Sequence, residues 1–346
     1  MKLAQEFILN VATWIPDGRE SASAMVAAGR LTVGDAEDLA LTEVPVSEDL
    51  AAPEMAVRAA RRVLADAAWD PARIALVAHG WTYYQGHDFW SPAHYIAHHI
   101  GAGAALPLGV QQMSNSGAAA LGIAAQKLVA DPRAEAALVT TGDRFSLPGF
   151  DRWASDYGVA YGDAGTAALL RRRGPDERPG ALRLRSLAFV TDASFEEMYR
   201  GRDHFSVAPL AHGGGRVDVK RPKKAYLEMH GGIEGFRGAA LRCVNRVLRL
   251  ALADAEVETE DPRIACVVLP RLGDSVLDLM YRPALDAAVK AEVFAVRESS
   301  GHLGAGDLLA NAEHIVVSGA LKSGDIAVVL GGGGGFTWSC AVLEAL

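Results

Sequence analysis

The stretch Asp70-Pro71-Ala72-Arg73-Ile74-Ala75-Leu76-Val77 returns with small changes as Asp261-Pro262-Arg263-Ile264-Ala265-Cys266-Val267-Val268. Each copy follows a helix-like run, ending in Val63-Leu64-Ala65-Asp66-Ala67 and in Leu250-Ala251-Leu252-Ala253-Asp254-Ala255, and each opens a short apolar strand. The next buried strand lies about 62 residues beyond Ala75, at Ala137-Leu138-Val139-Thr140-Thr141, and about 61 beyond Ala265, at Ile326-Ala327-Val328-Val329-Leu330. Repetition on this scale constrains the architecture before any single residue does. Strands alternating with helices in two similar halves imply stacked parallel or mixed sheets, with helices between and outside them.

Between its two strands each half holds one glycine-rich turn feeding an apolar helix. The first is Met113-Ser114-Asn115-Ser116-Gly117-Ala118-Ala119-Ala120-Leu121, leading into Leu121 to Leu128. The second is Gly301-His302-Leu303-Gly304-Ala305-Gly306-Asp307, leading into Leu308 to Ile315. Such turns hold a side chain beside free backbone N–H groups at the positive end of a helix dipole. A pseudo-twofold relation between the halves would bring the two turns to one site. A serine hydroxyl is protonated at neutral pH and needs a base, so Ser114 is the candidate nucleophile and His302 the candidate base, with Asp307 orienting it.

Composition narrows the partners. Half of the 346 residues are hydrophobic and 22% are charged, as in folded globular chains. A formal net charge of −8 argues against nucleic acid or an anionic membrane as the main partner. No window approaches a membrane-spanning apolar run, and Lys2, Gln5 and Glu6 break up the N-terminus, so neither a span nor a targeting signal is expected. Cys243, Cys266 and Cys340 sit in apolar runs and read as buried free thiols of a cytoplasmic protein. His94, His98 and His99 imitate a metal pair but lack an accompanying carboxylate, so no metal is expected. Five glycines, Gly331 to Gly335, are not followed by the Lys-Ser/Thr of a phosphate loop and imply close backbone approach to a substrate.

Two further stretches stand out. The polar-aromatic run Trp81 to Trp90 could line an acyl or acceptor pocket, with Trp81, Tyr83 and Phe89 as candidate substrate contacts, or form a dimer contact. Residues 171–240 are rich in Arg, Gly, Pro and Asp, including Arg171-Arg172-Arg173-Gly174-Pro175-Asp176. They read as a connector, part strand and part surface loop, that could cap the site. Within it, Lys220-Arg221-Pro222-Lys223-Lys224 reads as a solvated loop by default, or as a phosphate or acidic carrier-protein contact.

The chain resembles the β-ketoacyl-ACP synthase III group of the thiolase fold over nearly its whole length. Gly332-Gly333-Gly334-Gly335-Phe336-Thr337-Trp338 resembles that family's C-terminal glycine-rich loop. Tyr161-Gly162-Asp163-Ala164-Gly165-Thr166-Ala167 resembles its Gly-Asp-Gly-Ala-Gly-Ala strand entry, and Met113 to Leu121 its nucleophile elbow. The resemblance implies an α/β thiolase fold, duplicated halves giving a five-layered αβαβα sandwich. The halves would span 1–175, carrying the nucleophile turn, and 241–346, carrying His/Asp and the glycine-rich loop, with 176–240 as connector and capping segment. It also implies an oxyanion hole formed by the backbone N–H groups of Ser114 and Gly334.

Three departures shift the expected chemistry. Ser114 holds the family's cysteine position, Pro270-Arg271-Leu272-Gly273 falls where the family has a His, and His302 replaces an Asn. The missing His/Asn pair is what the family uses to stabilise an enolate during condensation. Arg271, at that position, becomes a candidate substrate contact. The His-x4-Asp arrangement is similar to a branch of acyltransferases acting in natural-product pathways. The expectation is therefore an acyltransferase working through a Ser114 acyl-enzyme or through direct attack assisted by His302. Its donor would be a CoA or phosphopantetheine thioester on CoA or acyl carrier protein, and its acceptor a small molecule bearing a hydroxyl or amine. No permanently bound cofactor and a homodimer are expected. The alternatives are a starter-unit ketosynthase-like or acyl-loading protein of a polyketide pathway, or a silent partner that binds a carrier protein.

Overall fold

The computed structural model describes residues 2–174, 182–207, 215–286 and 288–346. In chain order the strands are β1 (Lys2–Trp14), β2 (Gly18–Ser21), β3 (Glu43–Val46), β4 (Ile74–Gly80), β5 (Leu106–Val110), β6 (Ala136–Asp143), β7 (Ala164–Arg172), β8 (Leu182–Thr191), β9 (Ile264–Leu269), β10 (Glu292–Ala295), β11 (Ile326–Gly333) and β12 (Thr337–Ala345). The helices are α1 (Ala22–Ala27), α2 (Val33–Leu39), α3 (Ala52–Asp66), α4 (Pro92–His99), α5 (Ser116–Ala130), α6 (Glu197–Arg200), α7 (Lys220–Met229), α8 (Ile233–Asp254), α9 (Asp274–Met280), α10 (Arg282–Asp286) and α11 (Asp307–Val317).

The duplication is visible in the strand order β10-β9-β11-β12-β8-β1-β7-β6-β4-β5. Reading outward from the β1–β8 junction, each half runs antiparallel, antiparallel, parallel, parallel: β1·β7, β7·β6, β6·β4 and β4·β5 on one side, β8·β12, β12·β11, β11·β9 and β9·β10 on the other. The repeated Asp-Pro segments enter β4 and β9, which occupy matching places. Strands β1 and β8 join the two halves edge to edge, so what the repeat leads one to expect as separate stacked sheets is hydrogen-bonded into one.

Alternate residues of the strands face different cores, as a period of two requires. Leu76, Ala78, Val139, Ala168 and Leu170 of the first half and Cys266, Val268, Ala327, Val329, Ala341 and Leu343 of the second converge on α5 and α11. Their neighbours Val77, Leu138, Ala167 and Leu169 face α3 and α4, whereas Val267, Leu269, Val328, Leu330 and Val342 face α8 and α9. The layers are helix, sheet half, helix pair, sheet half, helix, which is the five-layered sandwich of the thiolase fold. Helix α5 lies between the two halves of the sheet, which is why it is apolar on every side.

The segment 176–240 contributes more than a connector. It holds β8, which is central to the sheet, then α6, α7 and the first residues of α8. Pro175 and Asp176, and with them the expected boundary, lie outside the described residues. Lys220 to Lys224 is the start of α7 rather than a solvated loop. Pro222 is tolerated there because the N–H groups of a helix's first turn have no intrahelical acceptor. Among the described residues, no helix is long and apolar enough to cross a membrane.

Candidate active site

Ser114 sits just before α5 on a turn held from all sides. Met113 adopts a left-handed conformation (φ 50°), a strained state for a residue with a side chain. The Ser116 hydroxyl accepts the Gln112 N–H (2.7 Å) and donates to the Met113 carbonyl (2.7 Å). The Asn115 side chain donates to Gln112 Oε1 (2.7 Å) and accepts from the Ser339 hydroxyl on β12 (2.6 Å). A Cβ on Gly117 would collide with the Ala305 carbonyl, so the turns of the two halves touch here and glycine is required.

His302 is fixed by its own backbone, its N–H donating to the Ala160 carbonyl (2.8 Å) and its carbonyl accepting from Gly162 (2.9 Å). Its Nε2 lies 2.7 Å from Ser114 Oγ, and its Nδ1 lies 2.7 Å from Asp307 Oδ2. The three residues that the sequence placed on two distant turns form one hydrogen-bonded relay. Asp307 begins α11 and also accepts the N–H groups of Leu303 (2.8 Å) and Arg271 (2.9 Å). Burial alone would raise the Asp307 carboxyl. The His302 imidazole, the Arg271 guanidinium and the Leu303 N–H outweigh it and hold the group below its ordinary value. An ionised Asp307 can only accept, so Nδ1 carries the proton and Nε2 is free to take one from Ser114.

Asp143, at the end of β6, braces this arrangement from behind. Its carboxylate accepts the N–H groups of Thr82, Tyr83 and Ala305, each at 2.8 Å, tying the turn before α11 to the loop after β4. Gly304, with φ +59°, passes directly against that carboxylate. Burial pushes the Asp143 carboxyl up to about 6, although the three N–H donors oppose the rise.

Ser114 and His302 open into a cavity of about 290 Å³. Its walls are mostly apolar, with Met198 of α6, Phe236 of α8, Met280 of α9 and Phe336 among them. Gly332, Gly333 and Gly334 form one edge. Any Cβ on Gly333 would meet the Gln112 carbonyl and Asn115 N–H, and one on Gly334 the Tyr199 ring. The glycine run thus permits close approach of the loop to the nucleophile turn. Gly334, expected beside Ser114, lines the same cavity.

Other expected contacts lie elsewhere. Trp81 and Tyr83 line a separate groove with His87 and Trp90, Phe89 is fully exposed, and none of the three borders the Ser114 cavity. Their aromatic character signals burial against something but gives no direction. Arg271 is buried behind Asp307, its guanidinium donating to Asn311 Oδ1 (2.9 Å) and Ser300 Oγ, so it supports the relay instead of touching the cavity. His94 and His99 hydrogen-bond to Ser91 Oγ and to the Tyr95 carbonyl respectively. Conversely, Asp156, Tyr199 and Lys223 line the cavity, although nothing in the sequence around Asp156 and Tyr199 singled them out and Lys223 stood out only as part of a run read as a solvated loop or a phosphate or carrier-protein contact.

The family model of the 3-oxoacyl-[acyl-carrier-protein (ACP)] synthase III C terminal matches residues 252–345. No curated protein matches the chain. Among solved structures, that of ChlB3, described as an acyltransferase, is 28% identical with a TM-score of 0.85, covering 99% of this chain and 98% of that one. The 3-oxoacyl-[acyl-carrier-protein] synthase III of Aquifex aeolicus VF5 is 18% identical with a TM-score of 0.76, covering 98% and 99%. AbyA1, described as a tetronic acid condensing enzyme, is 18% identical with a TM-score of 0.74, covering 99% and 100%.

Proposed function

The chain is a β-ketoacyl-ACP synthase III-like protein of the thiolase fold, and on that premise we propose that it is an acyltransferase. It moves an acyl group from a CoA or carrier-protein thioester to a hydroxyl or amine of a small acceptor. The observation that carries this reading is the Ser114–His302–Asp307 relay, with both hydrogen bonds at 2.7 Å, opening into an apolar cavity.

Ser114 Oγ attacks the thioester carbonyl carbon as its proton passes to His302 Nε2, and Asp307 stabilises the imidazolium. Base catalysis of this kind is worth on the order of 10²–10⁴-fold. Backbone N–H groups of Ser114 and Gly334 receive the developing oxyanion, each such donor contributing roughly 3 kcal/mol. Collapse breaks the carbon–sulfur bond, and the departing thiolate takes the proton from His302. The acceptor then attacks the Ser114 ester, giving its proton to His302, which returns it to Ser114 Oγ. Arg271 supports transfer over condensation: at the family's His position its guanidinium binds Asn311 and Ser300 and its backbone N–H binds Asp307, and it does not line the cavity where an enolate would form.

Incubation with a panel of acyl thioesters, read by intact mass alongside transfer to candidate acceptors, tests the proposal. An acyl adduct on Ser114 that disappears in Ser114→Ala is expected. Transfer that survives Ser114→Ala but is lost in His302→Ala would replace the acyl-enzyme with direct attack. Release of carbon dioxide with carbon–carbon bond formation would overturn the transferase reading in favour of condensation.

A further inference from the structure

An ammonium group stands in the wall of a mostly apolar cavity. Lys223, on α7, lines the cavity together with Asp156, Tyr161 and Tyr199. Its Nζ pairs with Asp156 Oδ1 and lies 4.6 Å from the centroid of the Tyr199 ring. Asp156 Oδ2 accepts the Tyr161 hydroxyl (3.1 Å), and Tyr161 packs edge-on against the His302 imidazole at 5.2 Å. A continuous polar strip therefore runs from the proposed base along one wall of the cavity. Met198, Phe236, Leu279, Met280 and Phe336 supply much of the remaining lining.

A buried ion pair is weak evidence for a purely stabilising role. Exchanging a buried ion pair for well-packed apolar residues is often neutral or stabilising. The Asp156 side chain is 1% exposed and that of Lys223 14%, so of the pair it is Lys223 that keeps accessible surface, and it lines the cavity. An ammonium carries three donors and no acceptor. Asp156 takes one of them and the Tyr199 side chain a second. The third is left for a ligand oxygen in the cavity that Lys223 lines.

We propose that Lys223, positioned by Asp156, is a specificity-determining residue that selects an acyl group bearing an oxygen substituent, a hydroxyl or a carboxylate, over its unsubstituted counterpart. This rests on the acyl-transfer reading above, which supplies the thioester. A site built to hydrogen-bond an oxygen discriminates against the analogue lacking it much more strongly than an apolar wall discriminates by size. Burial would lower the Lys223 ammonium, but Tyr199 and Asp156 outweigh it and hold its pKa above the ordinary lysine value, so the donor stays charged.

The test uses pantetheine thioesters, the portion common to CoA and carrier-protein donors, with butanoyl, 3-hydroxybutanoyl and 3-carboxypropanoyl groups. Equilibrium binding to the full-length Ser114→Ala protein and kcat/KM of the parent enzyme are both measured. The parent should prefer at least one oxygen-bearing thioester over butanoyl by about 10- to 100-fold. That ratio should collapse towards one in Lys223→Met and in the double variant Lys223→Met/Asp156→Asn, the latter leaving no unpaired buried carboxylate. Which oxygen-bearing thioester wins identifies hydroxyl or carboxylate. A ratio near one in the parent, or one unchanged in both variants while binding persists, would overturn the proposal and leave acyl transfer standing. Failure of every thioester to bind would overturn both.

Discussion

At the scale of single residues, the site is a set of acceptors and donors with one consistent assignment. Asp307 accepts from His302, Leu303 and Arg271 and can give nothing back while ionised. Asp307→Asn would present an amide that can donate to Nδ1, turning the imidazole so that Nε2 carries the hydrogen and cannot accept from Ser114. Acyl transfer should then fall by about 10⁴-fold, as measured by kcat. The same NH2 would face the Arg271 N–H that Oδ2 now accepts, so unfolding should also cost about 1–3 kcal/mol less, as measured by urea denaturation. This part of the site was legible from the chain because each member announces itself locally: a serine, a histidine and an aspartate, each on a glycine-rich turn at a helix start. Arg271 was legible as a position but not as a role. Its direction depends on Asn311 and Ser300, and no local pattern reports that. The Lys223–Asp156 pair was opaque for a similar reason, since its members lie 67 residues apart and the basic run around Pro222 reads as solvated.

At the scale of elements, the relay depends on two helix starts in van der Waals contact. Gly117 belongs to α5, where alanine would ordinarily be the better helix former. Here its Cβ would strike the Ala305 carbonyl and also press on Thr141, so Gly117→Ala must push α5 from the turn before α11. The expected result is a kcat lowered about 100-fold, since displacing reacting groups by roughly 1 Å costs that much. Unfolding should cost about 1–3 kcal/mol less than in the parent, the usual penalty of overpacking. Kinetics and urea denaturation of the same preparation check both. Helix α7 shows where element prediction failed. Arg, Lys and Pro dominate its first turn, and its amphipathic character becomes clear only once Pro222 and Tyr226 are seen to be buried.

For the molecule as a whole, acid stability is set in part by two buried groups with opposite slopes. His79 bridges Thr140 and Gln85, and burial lowers its pKa to about 4. The unfolded chain takes up that proton near 6.5, so this group contributes stability that is lost as the pH falls from 6.5 towards 4. Asp143, raised to about 6, works the other way: the folded state binds its proton first, and its contribution grows as the pH falls from 6 towards 4. Relative to the parent, His79→Gln should gain on the order of 3 kcal/mol between pH 7 and pH 4, and Asp143→Asn should lose a similar amount. Denaturation midpoints at three pH values would show the difference curves crossing. Parallel curves for both variants would contradict the assignment.

The mirrored strand order has one more consequence. The turns before α5 and α11 occupy matching places in the two halves and touch at Gly117 and Ala305, so they meet at one reacting centre and not two. One copy carries the attacking hydroxyl and the other the proton carrier, and the chemistry is thus divided between two equivalent positions of the repeat, Ser114 and His302.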